Sequence, residues 1–163
     1  MTAQPLDAAL DTSRATFDGT TLAVTTGEIR RTWQWTGRGF LTTAVATAAS
    51  GEVWQRDRAP GAFCDWSLPG WESDALGAKL TGIEADEADD EGFTSAHLAV
   101  TADLTYSEAR MAVRFVIWAY PGAPGLRTQL QVRGLPGYRV SARMPDRLRQ
   151  ATLRMDTVPV DFA

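Results

Sequence analysis

A long connection, from about Gln55 to Gly77, carries the side chains of this sequence that are best suited to hold a ligand. Trp54 precedes it, and Trp66 and Trp71 within it are interleaved with carboxylates such as Asp65. Indole faces stack on the C–H groups of sugar rings, and carboxylates accept hydrogen bonds from sugar hydroxyls. Trp54, Asp65, Trp66 and Trp71 are therefore candidate carbohydrate contacts. The alternative, favoured by the large apolar area of the rings, is that they pin the loop onto the domain.

A recognisable catalytic set is absent from the sequence. Its one histidine, His97, lies in a predicted strand, and no Gly-x-Ser-x-Gly motif accompanies it, so a serine–histidine triad is not indicated. Aspartate and glutamate are numerous, yet none stands at a strand-end motif typical of paired-carboxylate glycoside hydrolysis. We assign no catalytic residue, and whether the protein is an enzyme stays open.

Metal and cofactor chemistry is equally unsupported. Cys64 is the only cysteine, so the chain has no internal disulfide and no cysteine-type zinc site. The stretch Glu84 to Glu91 holds six carboxylates in eight positions, and their mutual repulsion predicts an exposed loop. It lacks the ligand and glycine pattern of an EF-hand loop. We expect neither a metal nor a cofactor.

Composition bounds the class of protein. The 163 residues are 44% hydrophobic, which is enough for one domain, residues 1–163, with a hydrophobic core. No apolar run approaches the length of a membrane span, so we expect a soluble protein. A net charge of −4 disfavours binding to nucleic acid. The first twenty residues lack the basic and apolar regions of a signal peptide, which leaves the compartment undetermined.

The fold is predicted most clearly by the stretch from Arg110 to Gly137, where two alternating apolar runs flank a Pro/Gly corner. We predict strands at Thr20 to Thr25, Glu28 to Trp35, Phe40 to Ala48, Lys79 to Ala85, Phe93 to Thr105, Ala109 to Tyr120, Leu126 to Gly134 and Thr152 to Val160. A short helix is predicted only at Pro145 to Leu153. This arrangement predicts an all-β, antiparallel β-sandwich.

Two segments resemble a known module. Glu28 to Trp54 has an Arg-x-aromatic strand, a glycine turn and a Ser-Gly-x-x-Trp ending, and Tyr120 to Gly125 reads aromatic-Pro-Gly-x-Pro-Gly. These features resemble the amino-terminal β-supersandwich, of galactose-mutarotase-like fold, that precedes the catalytic barrel in clan D, α-galactosidase-like glycoside hydrolases. The order of strands and turns resembles that of the module over roughly the first four fifths of the chain.

The resemblance implies a non-catalytic amino-terminal domain of a larger hydrolase of carbohydrate metabolism. Its partner would be the catalytic barrel of the same parent chain, with residues 140–163 beginning the linker. In that family a loop of this domain reaches the rim of the active site in some members, often across an oligomer interface, so a homo-oligomer is compatible with the resemblance. The alternative is a free-standing carbohydrate-binding or lectin-like module. Sugar and linkage specificity cannot be read from the sequence.

Overall fold

Ten β-strands make up the regular structure of the computed structural model, which describes residues 4–55, 63–66 and 77–136. In chain order they are β1 (Leu6–Leu10), β2 (Ser13–Phe17), β3 (Thr21–Thr25), β4 (Ile29–Trp35), β5 (Phe40–Thr47), β6 (Val53–Gln55), β7 (Lys79–Ala88), β8 (His97–Tyr106), β9 (Met111–Ala119) and β10 (Arg127–Gly134). These described residues contain no helix.

The strands form two antiparallel sheets. One has six strands in the order β1-β2-β3-β4-β5-β6, and the other has four in the order β10-β9-β8-β7. Within each sheet every strand pairs with its neighbour in sequence, as in a meander, and the short turns between strands account for this. The inner faces of the two sheets share one hydrophobic core. The predicted all-β, antiparallel sandwich is therefore confirmed.

Large aromatic side chains fill the centre of the core. Trp33 of β4 and Phe115 of β9 come from opposite sheets, and their ring centroids lie 6.0 Å apart in an edge-to-face arrangement. Phe40 of β5 stacks on the same phenylalanine at 6.2 Å and meets Phe17 at the same distance. Each of these four side chains is at most 2% exposed. Inter-sheet aromatic contacts thus fix how the two layers sit on each other.

The strand-corner-strand unit is also found. β9 and β10 pair in antiparallel register, with Phe115 opposite Leu130 and Val113 opposite Val132. Leu130 is partly buried against the core, whereas Val132 is 45% exposed because β10 lies at the end of the four-stranded sheet. The predicted inward face of β10 is therefore covered over only part of its length.

Three strands were not expected from the sequence. β1 and β2 form a hairpin whose turn places Asp11 in the left-handed region, at a φ of 51°. Their sequences, LDAAL and SRATF, have few β-branched residues, so propensity does not reveal them, and pairing within the sheet decides their conformation. β6 has only three residues, too few to give an alternation.

The expectation of a loop over Glu84 to Glu91 is wrong for its first half. Strand β7 continues to Ala88, with its acidic side chains exposed and Ala85 directed at the core. Pairing with β8 outweighs the repulsion because the acidic side chains of the strand stay exposed to water. The turn begins only at Asp89, and three successive left-handed residues, Asp90, Glu91 and Gly92, delay β8 until His97. The helix predicted at 145–153, the strand at 152–160 and the linker from 140 lie outside the described residues.

Candidate functional site

The sequence-predicted site residues separate into three groups. Trp54 lies in the short strand β6, where its backbone pairs with Val45 of β5. Asp65 and Trp66 belong to residues 63–66, the described piece of the long connection. Trp71 lies outside the described residues.

Asp65 lies inside the sandwich and is 2% exposed. Its Oδ2 accepts a hydrogen bond from Nη2 of Arg31 at 3.0 Å, and both of its carboxylate oxygens lie 3.0 Å from the backbone N–H of Thr42. The hydroxyl of Thr42 donates to Oδ2 as well. Arg31 also bonds Thr42 through Nε at 2.9 Å, and its guanidinium lies 4.7 Å from the Trp33 ring centroid. The carboxylate is therefore fully engaged by a buried polar network.

Sequence and local geometry explain why Arg31 points inward. Its register neighbour on β3 is Val24, which is fully buried, so Arg31 occupies the core face of β4. A register shift between Thr32 and Trp33 then brings Thr42 of β5 to the same face. An arginine is 7% exposed in this position because Asp65 supplies the countercharge from a third segment.

Trp66 packs in the hydrophobic core. It is 3% exposed, and its ring centroid lies 5.2 Å from that of Phe115. Its indole N–H is buried without a hydrogen-bond partner among the described residues. Gly39 permits this approach, since a Cβ there would lie 2.5 Å from Cβ of Cys64 and 2.9 Å from the Trp66 ring.

The same segment is tied to the turn between β4 and β5. The hydroxyl of Thr36 donates to the carbonyl oxygen of Phe63, and the Arg38 guanidinium lies 3.7 Å from the Phe63 ring centroid. The backbone N–H of Asp65 donates to the Phe40 carbonyl at 3.0 Å. We call residues 63–66 the anchor segment. It holds one point of the long connection firmly against the six-stranded sheet, and Asp65 and Trp66 there present almost no surface to a ligand.

His97 begins β8 and is completely buried. Its Nδ1 lies 3.0 Å from the carbonyl oxygen of Ser95, and its ring lies 4.5 Å from that of Tyr120. Nε2 has no hydrogen-bond partner among the described residues. The ring is thus buried, and the hydroxyl oxygen of Thr94 lies 3.5 Å from its Nδ1.

A polar surface that the sequence analysis did not single out is the outer face of the four-stranded sheet. Trp118 of β9 is half-buried there, and the guanidinium of Arg127, its register neighbour on β10, lies 4.7 Å from its ring centroid. Further along, a depression of about 330 Å³ opens. Its lining residues are Thr81, Asp103, Leu104, Thr105, Ala112, Val113, Arg114, Gln131, Val132 and Arg133.

An ion pair forms the floor of this depression. Arg114 donates through Nε to Oδ1 of Asp103 at 2.8 Å and through Nη2 to Oδ2 at 2.9 Å. These hydrogen bonds, and then the carboxylate charge, raise the pKa of Arg114 above its ordinary value. The signal in the sequence was the alternation of Arg127, Gln129, Gln131 and Arg133, but only the strand register shows which groups face them.

Other classes of site find no support in the described residues. No group of three or more histidine, cysteine, aspartate or glutamate side chains is close enough to hold a metal ion in that part of the chain. No helix found there has the length and apolar character needed to cross a membrane.

Comparisons with known proteins return nothing. No protein-family model matches the chain, and no curated protein or solved structure is significantly similar to it.

Proposed function

We propose that this chain is a non-catalytic β-sandwich domain of an α-galactosidase-like glycoside hydrolase. It packs on the catalytic barrel of the same parent chain and shapes the rim of that barrel's active site. Two features support the proposal: the antiparallel sandwich itself, and the Arg-x-aromatic, Ser-Gly-x-x-Trp and Pro/Gly-corner segments that resemble the amino-terminal domain of those enzymes. The barrel, with both catalytic carboxylates of the resembled enzymes, would lie elsewhere in the parent protein.

The observation that carries the non-catalytic assignment is how the buried ionisable groups are used. Among the described residues Asp65 is the one buried carboxylate, and it is held by Arg31 and Thr42. His97 is fully buried, and its ring packs against that of Tyr120. Perturbed acids and bases in an open cleft are the usual mark of an active site, whereas Asp65 and His97 are buried and neither lines the depression on the outer face of the four-stranded sheet.

The anchor segment supports the role at the rim. A loop that lines a neighbouring active site must be held rigidly at its root, because a displacement of about 1 Å already lowers catalysis. Phe63, Asp65 and Trp66 fix such a root by a cation–π contact, an ion pair and core packing. Under this proposal Trp54 and Trp71 remain the candidate carbohydrate contacts, while Asp65 and Trp66 position the loop.

The second candidate function is a free-standing carbohydrate-binding module. It is favoured by the outer face of the four-stranded sheet, which carries an aromatic ring, Trp118, beside Arg127 and, further along, amide, guanidinium and carboxylate groups. In this second candidate function the anchor segment takes no part in binding.

The experiment that separates the two uses the product of the natural gene. The complete reading frame, the same protein lacking residues 1–163, and the isolated chain are compared for hydrolysis of p-nitrophenyl α-galactoside. We expect activity only from the complete product, and we expect Trp71→Ala in it to lower kcat/KM without changing the melting temperature. A reading frame without a further domain, or full activity and stability after the deletion, would contradict the proposal and favour the second candidate.

A further inference from the structure

We infer that the depression on the outer face of the four-stranded sheet binds a saccharide that carries a carboxylate, such as a uronic acid residue. The inference deepens the proposed function and rests on it for the choice of a saccharide among carboxylate ligands. It assigns binding to strands β7 to β10 and not to the candidates expected from the sequence.

The depression offers polar groups that are already oriented. Asp103 and Arg114 hold each other through two hydrogen bonds, and their side chains remain 38% and 50% exposed. Thr81 is fixed by a hydrogen bond from its hydroxyl to the Asp103 carbonyl at 3.0 Å. Gln131 donates through Nε2 to Oε1 of Gln129 at 3.1 Å. Because these groups are held before a ligand arrives, little side-chain freedom is lost on binding.

The same groups keep unused hydrogen-bonding capacity within the described part of the chain. Arg114 has a free Nη1, since its bonds to Asp103 use Nε and Nη2. Gln131 keeps its Oε1, and the hydroxyl of Thr105 has no described partner. The depression therefore offers both donors and acceptors. That pattern suits vicinal hydroxyl groups, each of which can donate and accept.

The charge of the site selects a carboxylate. Arg114 is neutralised by Asp103, whereas no described carboxylate forms an ion pair with Arg133. The net charge of the lining is therefore positive, although that of the whole chain is −4. Guanidinium groups bind carboxylates through two parallel hydrogen bonds. Arg133 is thus the group expected to take the carboxylate, with the sugar hydroxyls on Gln131 and Thr105.

Size and surroundings agree with a saccharide. A volume of about 330 Å³ is at the small end of ligand sites and fits one or two sugar rings. Along the same face Trp118, covered by Arg127, adds an aromatic ring and a second guanidinium for a longer chain.

The test is a titration of the isolated chain with trigalacturonate, followed by calorimetry and by backbone amide shifts. Its fully methyl-esterified form is the matched neutral probe. We expect shifts confined to β8, β9, β10 and the part of β7 around Thr81. We also expect at least tenfold weaker binding of the ester, and at least tenfold weaker trigalacturonate binding by Arg133→Gln. Gln131→Ala, which leaves all charges in place, should weaken both probes. Arg30→Gln is the control, because it removes an exposed arginine from the outer face of the other sheet.

The outcomes are distinct. Circular dichroism first establishes that each surface variant is folded. Equal binding of the two probes, or equal losses from Arg133→Gln and Arg30→Gln, would overturn the inference, and so would an absence of binding. Those results leave the proposed function intact, because that function depends on the hydrolysis experiment with the complete gene product. Conversely, trigalacturonate binding would hold even if the gene encoded no barrel.

Discussion

Replacing Asp65 with alanine tests whether the anchor segment is structural. The carboxylate holds Nη2 of Arg31 and the backbone N–H of Thr42, each at 3.0 Å, and all of these groups are withdrawn from water. Alanine would leave a 7% exposed guanidinium without its countercharge and a backbone N–H without its acceptor. The substitution therefore acts through burial of an uncompensated charge.

The magnitude follows from that burial. Removing one partner of a buried ion pair typically costs about 3 to 5 kcal/mol of folding free energy. For a domain of this size each kcal/mol lowers the melting temperature by about 2 to 4 °C, so we expect a fall of roughly 6 to 20 °C. Arg31→Met alone should lower the folding free energy by a similar amount, because it leaves Asp65 without its countercharge. The double variant Arg31→Met/Asp65→Ala should lose less than the sum of the two, since it leaves no unpaired charge.

Thermal and urea unfolding of the isolated chain measure these changes. Asp7→Ala is the control, because Asp7 pairs with Arg14 at the surface, with side chains 61% and 58% exposed, and its loss should leave the melting temperature unchanged. A loss below about 1 kcal/mol for Asp65→Ala would refute the reasoning. If the complete enzyme then also lost substrate affinity, Asp65 would be a ligand contact after all.

Further predictions concern the core and its packing. Phe115→Ala should lower the free energy of unfolding by about 3 to 5 kcal/mol in urea, because this ring contacts both sheets and the anchor segment. A loss of less than about 1 kcal/mol would contradict this packing. Gly39→Ala should cost about 1 to 3 kcal/mol by displacing Cys64, whereas Gly77→Ala, with no atom within 4 Å of the added Cβ, should be neutral; equal effects would contradict this. Burial raises the pKa of Tyr106 above its ordinary 10.0, so its contribution to stability is present below pH 10 and lost as the pH rises further. Tyr106→Phe should therefore flatten the alkaline loss of stability in a pH series of melts, and an unchanged slope would count against burial as its cause.

The sequence predicts the interior strands other than β2 well, because one face of each must be apolar. The alternation of Met111, Val113, Phe115 and Ile117 placed β9 correctly, and all four side chains are buried. Hydrophobic period is a local signal that the sheet reinforces. The sequence predicts the edge strands β1 and β6 poorly, because pairing partners decide their conformation. The edge strand β7 was predicted, but its end was placed at Ala85 and not at Ala88.

The candidate site depended on contacts that are distant in sequence. Asp65 binds Arg31, which is 34 residues away in the sequence, and no local sequence pattern predicts that contact. The depression could not be predicted for the same reason, because Gln131 is brought next to Asp103 and Arg114 only by the register of three strands. Aromatic rings beside carboxylates suit a sugar site and a buried anchor equally. Only burial distinguishes the two.

The most direct test of the proposed non-catalytic role is hydrolysis of aryl glycosides by the isolated chain. The account predicts no turnover above a purified blank for either anomer, because the depression described on the outer face is lined by one carboxylate, Asp103, whereas glycoside hydrolysis uses two. Turnover that disappears when a single carboxylate of this chain is changed to its amide would contradict it.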